Sequence, residues 1–202
     1  MSKTFMKAVL AGGAISLGGI ANILSGNKII GSLFFIIGLF LVLTTNLNLF
    51  TGKVCYLVTG KTNIKDLIII YLGNLIGASL VGTIFSLLPK YHASVVSYSV
   101  GLADRIAAPV LQVIILGFFC NVLIYIAVNG YKTQDKEWKK AFSLFFGVAV
   151  FVLCGFEHSV ADIFYISFCN MWSADSILFL FNVTIGNIIG GISLPFIDRF
   201  IQ

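Results

Sequence analysis

Gly155-Phe156-Glu157-His158-Ser159-Val160-Ala161-Asp162 sets two carboxylates and an imidazole close together inside an apolar run. That run extends from Val148 to Cys154 before the motif and from Ile163 to Cys169 after it. These residue types can move protons, donate and accept hydrogen bonds, and pair charges. Mean hydropathy is +1.01 and 58% of residues are hydrophobic, which puts the run in a lipid bilayer. Ionisable groups at membrane depth are costly and usually face a cavity, a partner or a pathway. Glu157 and His158 are therefore functional-site candidates, and imidazole is the side chain that ordinarily titrates near neutrality.

The elements that must hold this motif follow from hydropathy. A helix needs about 20 apolar residues to cross a bilayer. Six candidate spans cover residues 8–24, 29–43, 67–88, 107–128, 141–154 and 177–197. The second and fifth are short, and each meets a polar, glycine-containing break followed by more apolar chain. The first break is Thr44-Thr45-Asn46-Leu47-Asn48-Leu49-Phe50-Thr51-Gly52, with residues 54–58 as the short piece beyond it. The second is Gly155-Phe156-Glu157-His158-Ser159, with residues 160–168 beyond. Interrupted apolar segments at matching places in two halves mark a transport site near the midplane.

Leu17-Gly18-Gly19-Ile20-Ala21-Asn22-Ile23-Leu24 matches Leu116-Gly117-Phe118-Phe119-Cys120-Asn121-Val122-Leu123. Gly73-Asn74-Leu75-Ile76-Gly77 matches Gly186-Asn187-Ile188-Ile189-Gly190. The pattern predicts one all-α membrane domain over residues 1–202. It contains two three-helix repeats, about 5–90 and 105–202, and an odd span count per repeat requires the second copy to be inverted.

The charges sit between the apolar runs. Lys3, Lys7, Lys53, Lys61, Lys65, Lys132, Lys136, Lys139, Lys140 and Arg199 fall on one side, and Lys28, Lys90 and Arg105 on the other. The positive-inside rule puts both termini in the cytoplasm of a multi-pass protein of the cell membrane. The net charge of +5 is thus a membrane-mouth feature and not a nucleic-acid footprint. Residues 1–7 carry no small-residue cleavage signature, so the first span reads as a membrane helix. Cys55, Cys120, Cys154 and Cys169 have no paired spacing and read as reduced apolar residues. His92 reads as a solvated loop residue.

Leu49-Phe50-Thr51-Gly52, Gly155-Phe156-Glu157-His158-Ser159 and Val183-Thr184-Ile185-Gly186-Asn187-Ile188-Ile189-Gly190-Gly191 together resemble the formate/nitrite transporter family of formate, nitrite and hydrosulfide channels. The resemblance implies a homopentamer in which each subunit has its own pore inside an aquaporin-like bundle of six helices. By it, His158 matches the central pore histidine and Thr51 the threonine facing it. Glu157 matches a buried carboxylate behind the histidine, held by Asn121 and Asn187. Phe35 and Leu39 match the constriction on one side of the pore, and Phe151 the constriction on the other. Arg105 stands where the formate channels carry a lysine at the outer mouth, and Asp162 where they carry asparagine. A carboxylate at Asp162 would oppose an anion or raise the pKa of the histidine.

The leading functional expectation is a passive or proton-coupled channel for small monovalent anions of weak acids, formate first, with nitrite and hydrosulfide close behind. Dehydrating a bare anion in an apolar pore is expensive. Basic mouths would concentrate the anion, and protonation would let it cross as a neutral molecule. A neutral-solute pore is the rival within transport. An intramembrane enzyme is the rival outside it, but no Gly-x-Ser-x-Gly or His-Glu-x-x-His pattern is present. A metal site from Cys154, His158 and Asp162 would need helical continuity that the break removes. No cofactor and no metal are expected.

Overall fold

In hydrocarbon every backbone polar group must be satisfied within the protein, so a chain this apolar is driven to helix. The computed structural model describes residues 2–201, without the side chain of Phe200, and shows nine α-helices among them. They are α1 (Lys3–Leu24), α2 (Lys28–Thr44), α3 (Phe50–Val54), α4 (Ile64–Ser86), α5 (His92–Ile106), α6 (Val110–Thr133), α7 (Glu137–Cys154), α8 (Ser159–Phe168) and α9 (Ala174–Ile201). A 3-10 turn, Pro89–Tyr91, precedes α5. Met1 and Gln202, the ends of the predicted domain, lie outside the described residues.

Several helices start earlier than hydropathy predicts, because side-chain caps count as well as apolar residues. Asn27 Oδ1 accepts from the Ile29 and Ile30 N–H groups. Asn63 Oδ1 accepts from Asp66 N. Such caps satisfy donors that the first helical turn otherwise leaves orphaned. Two expectations are corrected. The short piece after the first break is Phe50–Val54, with turns following it, and not residues 54–58. His92 begins helix α5 rather than lying in a loop. Only Leu102 of α5 is buried, so the helix has too narrow an apolar stripe for a hydropathy scan to find.

Among the described residues α1, α4, α6 and α9 are each long and apolar enough to cross a membrane. The α7 and α8 pair passes the same test together and is bent by 51° at its break. Helix α2, at 17 residues, is shorter. The outer helices turn Leu10, Phe34, Leu80, Leu111, Phe146 and Phe181 outward, as lipid-facing surface would. Every residue of α8 is buried. It packs on α4, while α3 packs on α9, so each short helix lies against a long helix from the other half of the chain.

Two helix pairs approach backbone to backbone, α1 with α4 and α6 with α9. A Cβ at Gly77 would collide with the Val9 carbonyl, and one at Gly190 with the Phe118 carbonyl. Small residues at such crossings let helices gain dispersion contacts where lipid supplies no hydrophobic drive between them. Gly190→Val should therefore prise α9 from α6 and cost about 1–3 kcal/mol or more by overpacking. Thermal unfolding in detergent should show a clear loss. Gly101→Ala, where no atom lies within 4 Å, should melt like the parent.

Candidate functional site

Both breaks are built the same way. Helix α2 ends with Asn46 in the left-handed region at φ 53°, with Leu47 N–H bonded to Val42 O at 2.9 Å. Helix α7 ends with Gly155 at φ 71°, with Phe156 N–H bonded to Phe151 O at 3.0 Å. This is the Schellman ending, in which a glycine or asparagine turns the chain back and satisfies the last carbonyls. A few extended residues follow, ending in Leu49 and His158, and then α3 and α8 begin.

The chain ends exposed by each break are tied by one asparagine. Asn74 of α4 accepts from Phe50 N at 2.8 Å and donates to Asn48 O at 2.9 Å and Ala8 O at 2.7 Å. Asn187 of α9 accepts from Ser159 N at 2.9 Å and donates to Glu157 O at 2.9 Å and Gly117 O at 2.8 Å. Both side chains are fully buried. The construction makes Ala8 the counterpart of Gly117, which corrects the alignment of residues 17–24 with 116–123. Leucine, glycine and asparagine recur too often in membrane helices for that match to set the register. The match of Gly73-Asn74 with Gly186-Asn187 keeps its register. Asn74 was visible in that match but was not singled out as a site residue. Its pairing with Asn187 was the signal.

The two breaks meet at one contact. Thr51 Oγ1, on α3, lies 2.9 Å from His158 Nε2. Ala161 N–H donates to His158 Nδ1 at 3.1 Å, so in the neutral ring the proton sits on Nε2 and is donated to Thr51. The threonine hydroxyl then accepts in this contact, and its side chain is fully buried. Asn121 Nδ2, from α6, donates to Thr51 O at 3.2 Å and Asn187 O at 2.7 Å, joining the two breaks.

A cavity of ≈ 360 Å³ lies on one side of the contact, with His158, Phe35, Phe151, Arg105 and Asp162 in its wall. It opens near the α1–α2 turn, at Gly26, Asn27 and Lys28. A smaller space of ≈ 20 Å³, about one water, lies toward the opposite end. Leu39, Leu49, Gly52, Lys53 and Lys132 line it. The expected grouping of constriction residues is thus corrected. Phe35 and Phe151 belong together, edge to face at 5.6 Å, and Phe151 also stacks on the His158 ring at 5.7 Å. Leu39 is on the other side of the Thr51–His158 level from both. Phe35 and Leu39 are one helical turn apart, and one turn is enough to straddle that level.

The support of Glu157 is also corrected. The asparagines hold backbone carbonyls, Asn187 that of Glu157 itself. The Glu157 carboxylate is held by Arg105, whose Nε donates to Oε1 at 3.0 Å and whose Nη2 donates to Oε2. Nη2 also donates to Asp162 Oδ1, and Nη1 donates to Tyr98 OH at 3.3 Å. The rings of Tyr165 and Phe179 lie 5.5 and 6.0 Å from the guanidinium carbon. Arg105, expected at the outer mouth, is in the last turn of α5 with its side chain turned inward onto two buried carboxylates. Cys154 is exposed, and no group of three metal-ligating side chains gathers among the described residues.

The sequence model of the formate/nitrite transporter family matches residues 1–197. Formate channel FocA of Escherichia coli K12 is 29% identical over 185 residues, covering 81% of this chain. The chain spans 65% of that relative's length. A solved structure described as an FNT family ion channel superposes with TM-score 0.84 at 25% identity, covering 98% of this chain and 88% of that one. A second, described as a pentameric formate channel with formate bound, gives TM-score 0.81 at 23% identity, covering 98% and 94%.

The paired asparagines make a stability prediction. Asn187→Leu keeps the volume but orphans one N–H and two carbonyls, each costing about 1–3 kcal/mol when buried. Asn74→Leu should do the same to the other break. Denaturation in detergent should show comparable losses for the two variants. A large loss for one and none for the other would refute their equivalence.

Proposed function

The chain belongs to the formate/nitrite transporter family, and we propose that it is a membrane channel for small monovalent anions of weak acids, with formate the first candidate and nitrite and hydrosulfide next. Its working unit is a homopentamer whose subunits each carry a pore. Each subunit crosses the membrane six times, as two inverted three-helix repeats in an aquaporin-like bundle. Helices α2 with α3, and α7 with α8, are the broken second and fifth spans. The shared construction around Asn74 and Asn187 supports the repeats. The clustering of lysines at the end that carries Lys7, Lys53 and Lys132 supports both termini being cytoplasmic.

The observation that carries the reading is the Thr51–His158 contact of 2.9 Å between two wall-lined spaces. Each part has a physical task. Phe35 and Phe151 form an apolar collar that a hydrated ion cannot pass without losing water. Leu39 does the same on the other side. Between the collars the donor proposed for a solute is the Thr51 hydroxyl, which suits an acceptor such as a carboxylate or nitrite oxygen. Helix α8 points its N-terminus, capped by His158, at the same level, and helix N-termini favour electron-rich groups. Glu157 and Arg105 hold the strand leading into His158 from behind. Asn121 and Asn187 hold the two breaks in register, and the solute crosses protonated or as the anion with its proton following through water.

His158→Phe tests the reading in proteoliposomes. It should lower formate, nitrite and hydrosulfide flux by at least about 100-fold, because the Nε2 donor that aims Thr51 is lost. The oligomer in detergent should keep its size, since the phenyl ring can replace the stack on Phe151. Unchanged flux would remove the contact from the mechanism. Flux in the parent that ignored the anion and followed neutral solutes would favour a neutral-solute pore.

A further inference from the structure

At the end of the molecule that carries Lys53 and Lys132, a further cavity of ≈ 720 Å³ opens. Three parts of the chain enclose it: the turns after α3, from Cys55 to Lys61, then Tyr125 and Asn129 of α6, and Pro195, Asp198 and Arg199 of α9. The Thr51–His158 site draws on none of these side chains. The charges in this wall are unbalanced. Lys61 and Arg199 are exposed, and neither has a carboxylate partner among the described residues. Asp198 is the one carboxylate in the wall, and Tyr125 OH donates to its Oδ2 at 3.2 Å. Two cations against one carboxylate leave the wall positive. Lys132 adds to this, with its Nζ 4.6 Å from the centroid of the Tyr56 ring.

Two neutral groups of the same wall also lack partners. The Tyr56 hydroxyl and the Asn129 side-chain amide make no hydrogen bond among the described residues. Sheltered polar groups of this kind are usually paired. The cavity also adjoins apolar surface. Ile126, next to Tyr125, and Ile197 and Ile201, on either side of Asp198 and Arg199, are exposed. A free anion gains nothing from such surface, whereas acyl chains do.

We propose that this cavity binds the headgroup of an anionic phospholipid. The phosphate is held by Lys61 and Arg199, and the acyl chains run along the outward apolar residues of α6 and α9. Basic pockets between membrane helices suit acidic headgroups, and a guanidinium takes phosphate oxygens in pairs. Tyr56 and Asn129 supply neutral donors for the remaining phosphate and ester oxygens. Asp198 opposes the headgroup and limits its affinity. The site goes beyond the channel reading and does not depend on which solute the pore passes.

The test is native mass spectrometry of the purified oligomer in detergent, given equal amounts of phosphatidylglycerol and phosphatidylcholine. The parent should retain phosphatidylglycerol in clear excess. Lys61→Gln and Arg199→Gln should each lower that excess about fivefold, the worth of one basic residue facing an acidic lipid. Asp198→Asn keeps an acceptor for Tyr125 and should raise the excess by a similar factor. Lys136→Gln removes an exposed cation that does not line the cavity, and it should leave the ratio unchanged. An equal loss in Lys136→Gln would show diffuse attraction and overturn the site, as would a ratio that ignores Lys61, Arg199 and Asp198. Inorganic phosphate should displace no more lipid than chloride at equal ionic strength. Full displacement by phosphate would assign the cavity to a free anion and overturn the lipid. Loss of the oligomer in both Lys61→Gln and Arg199→Gln would assign it to a neighbouring subunit and overturn the lipid too. Flux plays no part in these measurements, so their failure leaves the channel reading untouched.

Discussion

Two asparagines, one in each half of the chain, make the rest of the structure possible. A helix broken inside an apolar protein leaves N–H and C=O groups with no water to satisfy them, at a cost of several kcal/mol each. Asn74 and Asn187 each supply one acceptor and two donors to the chain at a break, reaching also to a neighbouring long helix. With those groups satisfied, α3 and α8 can begin in the middle of the protein. Only then can Thr51 and His158 face each other across it. The Schellman endings at Asn46 and Gly155 complete the accounting on the other side of each break.

The site itself separates two kinds of polarity. At the Thr51–His158 level the groups are neutral hydrogen-bonders oriented by backbone: Ala161 N–H fixes the imidazole, and Asn121 fixes the Thr51 carbonyl. The two buried carboxylates lie to one side, where Arg105 gathers Glu157 and Asp162, and Lys53 and Lys132 line the smaller space. This division suits the proposed passage, whose narrow part must not hold its solute tightly. A neutral donor can orient a small oxygen-bearing molecule without the strong attraction that a bare cation at the same depth would exert.

Much of this was legible in the sequence, for identifiable reasons. The polar, glycine-containing interruptions at 44–52 and 155–159 conflict with the apolar runs around them, and such conflicts mark sites where local preference yields to function. They located Thr51, Glu157 and His158 without any coordinates. Three things were hidden. The sides of Phe35, Leu39 and Phe151 depend on a height difference of one turn, which hydropathy does not resolve. Helix α5 buries one residue and so has almost no apolar signature. The partner of Glu157 was assigned to asparagines, because a carboxylate and an arginine 52 positions apart are joined only by the fold.

Arg105 and Asp162 stand out in the sequence as two separate departures from the pattern of the formate channels, and in the structure they are one feature. Lysine presents a compact charge with three donors, whereas the guanidinium presents a planar fork that can hold two carboxylates and stack between rings. Arginine at 105 would be stable without Asp162, since Glu157 already matches its charge and takes two of its donors. Asp162 would not be stable without Arg105. Sealed in α8, where every residue is buried, it would be an uncompensated buried carboxylate of the kind that costs about 3–5 kcal/mol when its partner is removed. The dependence runs one way, from arginine to aspartate. The carboxylate is therefore not needed to hold the arginine.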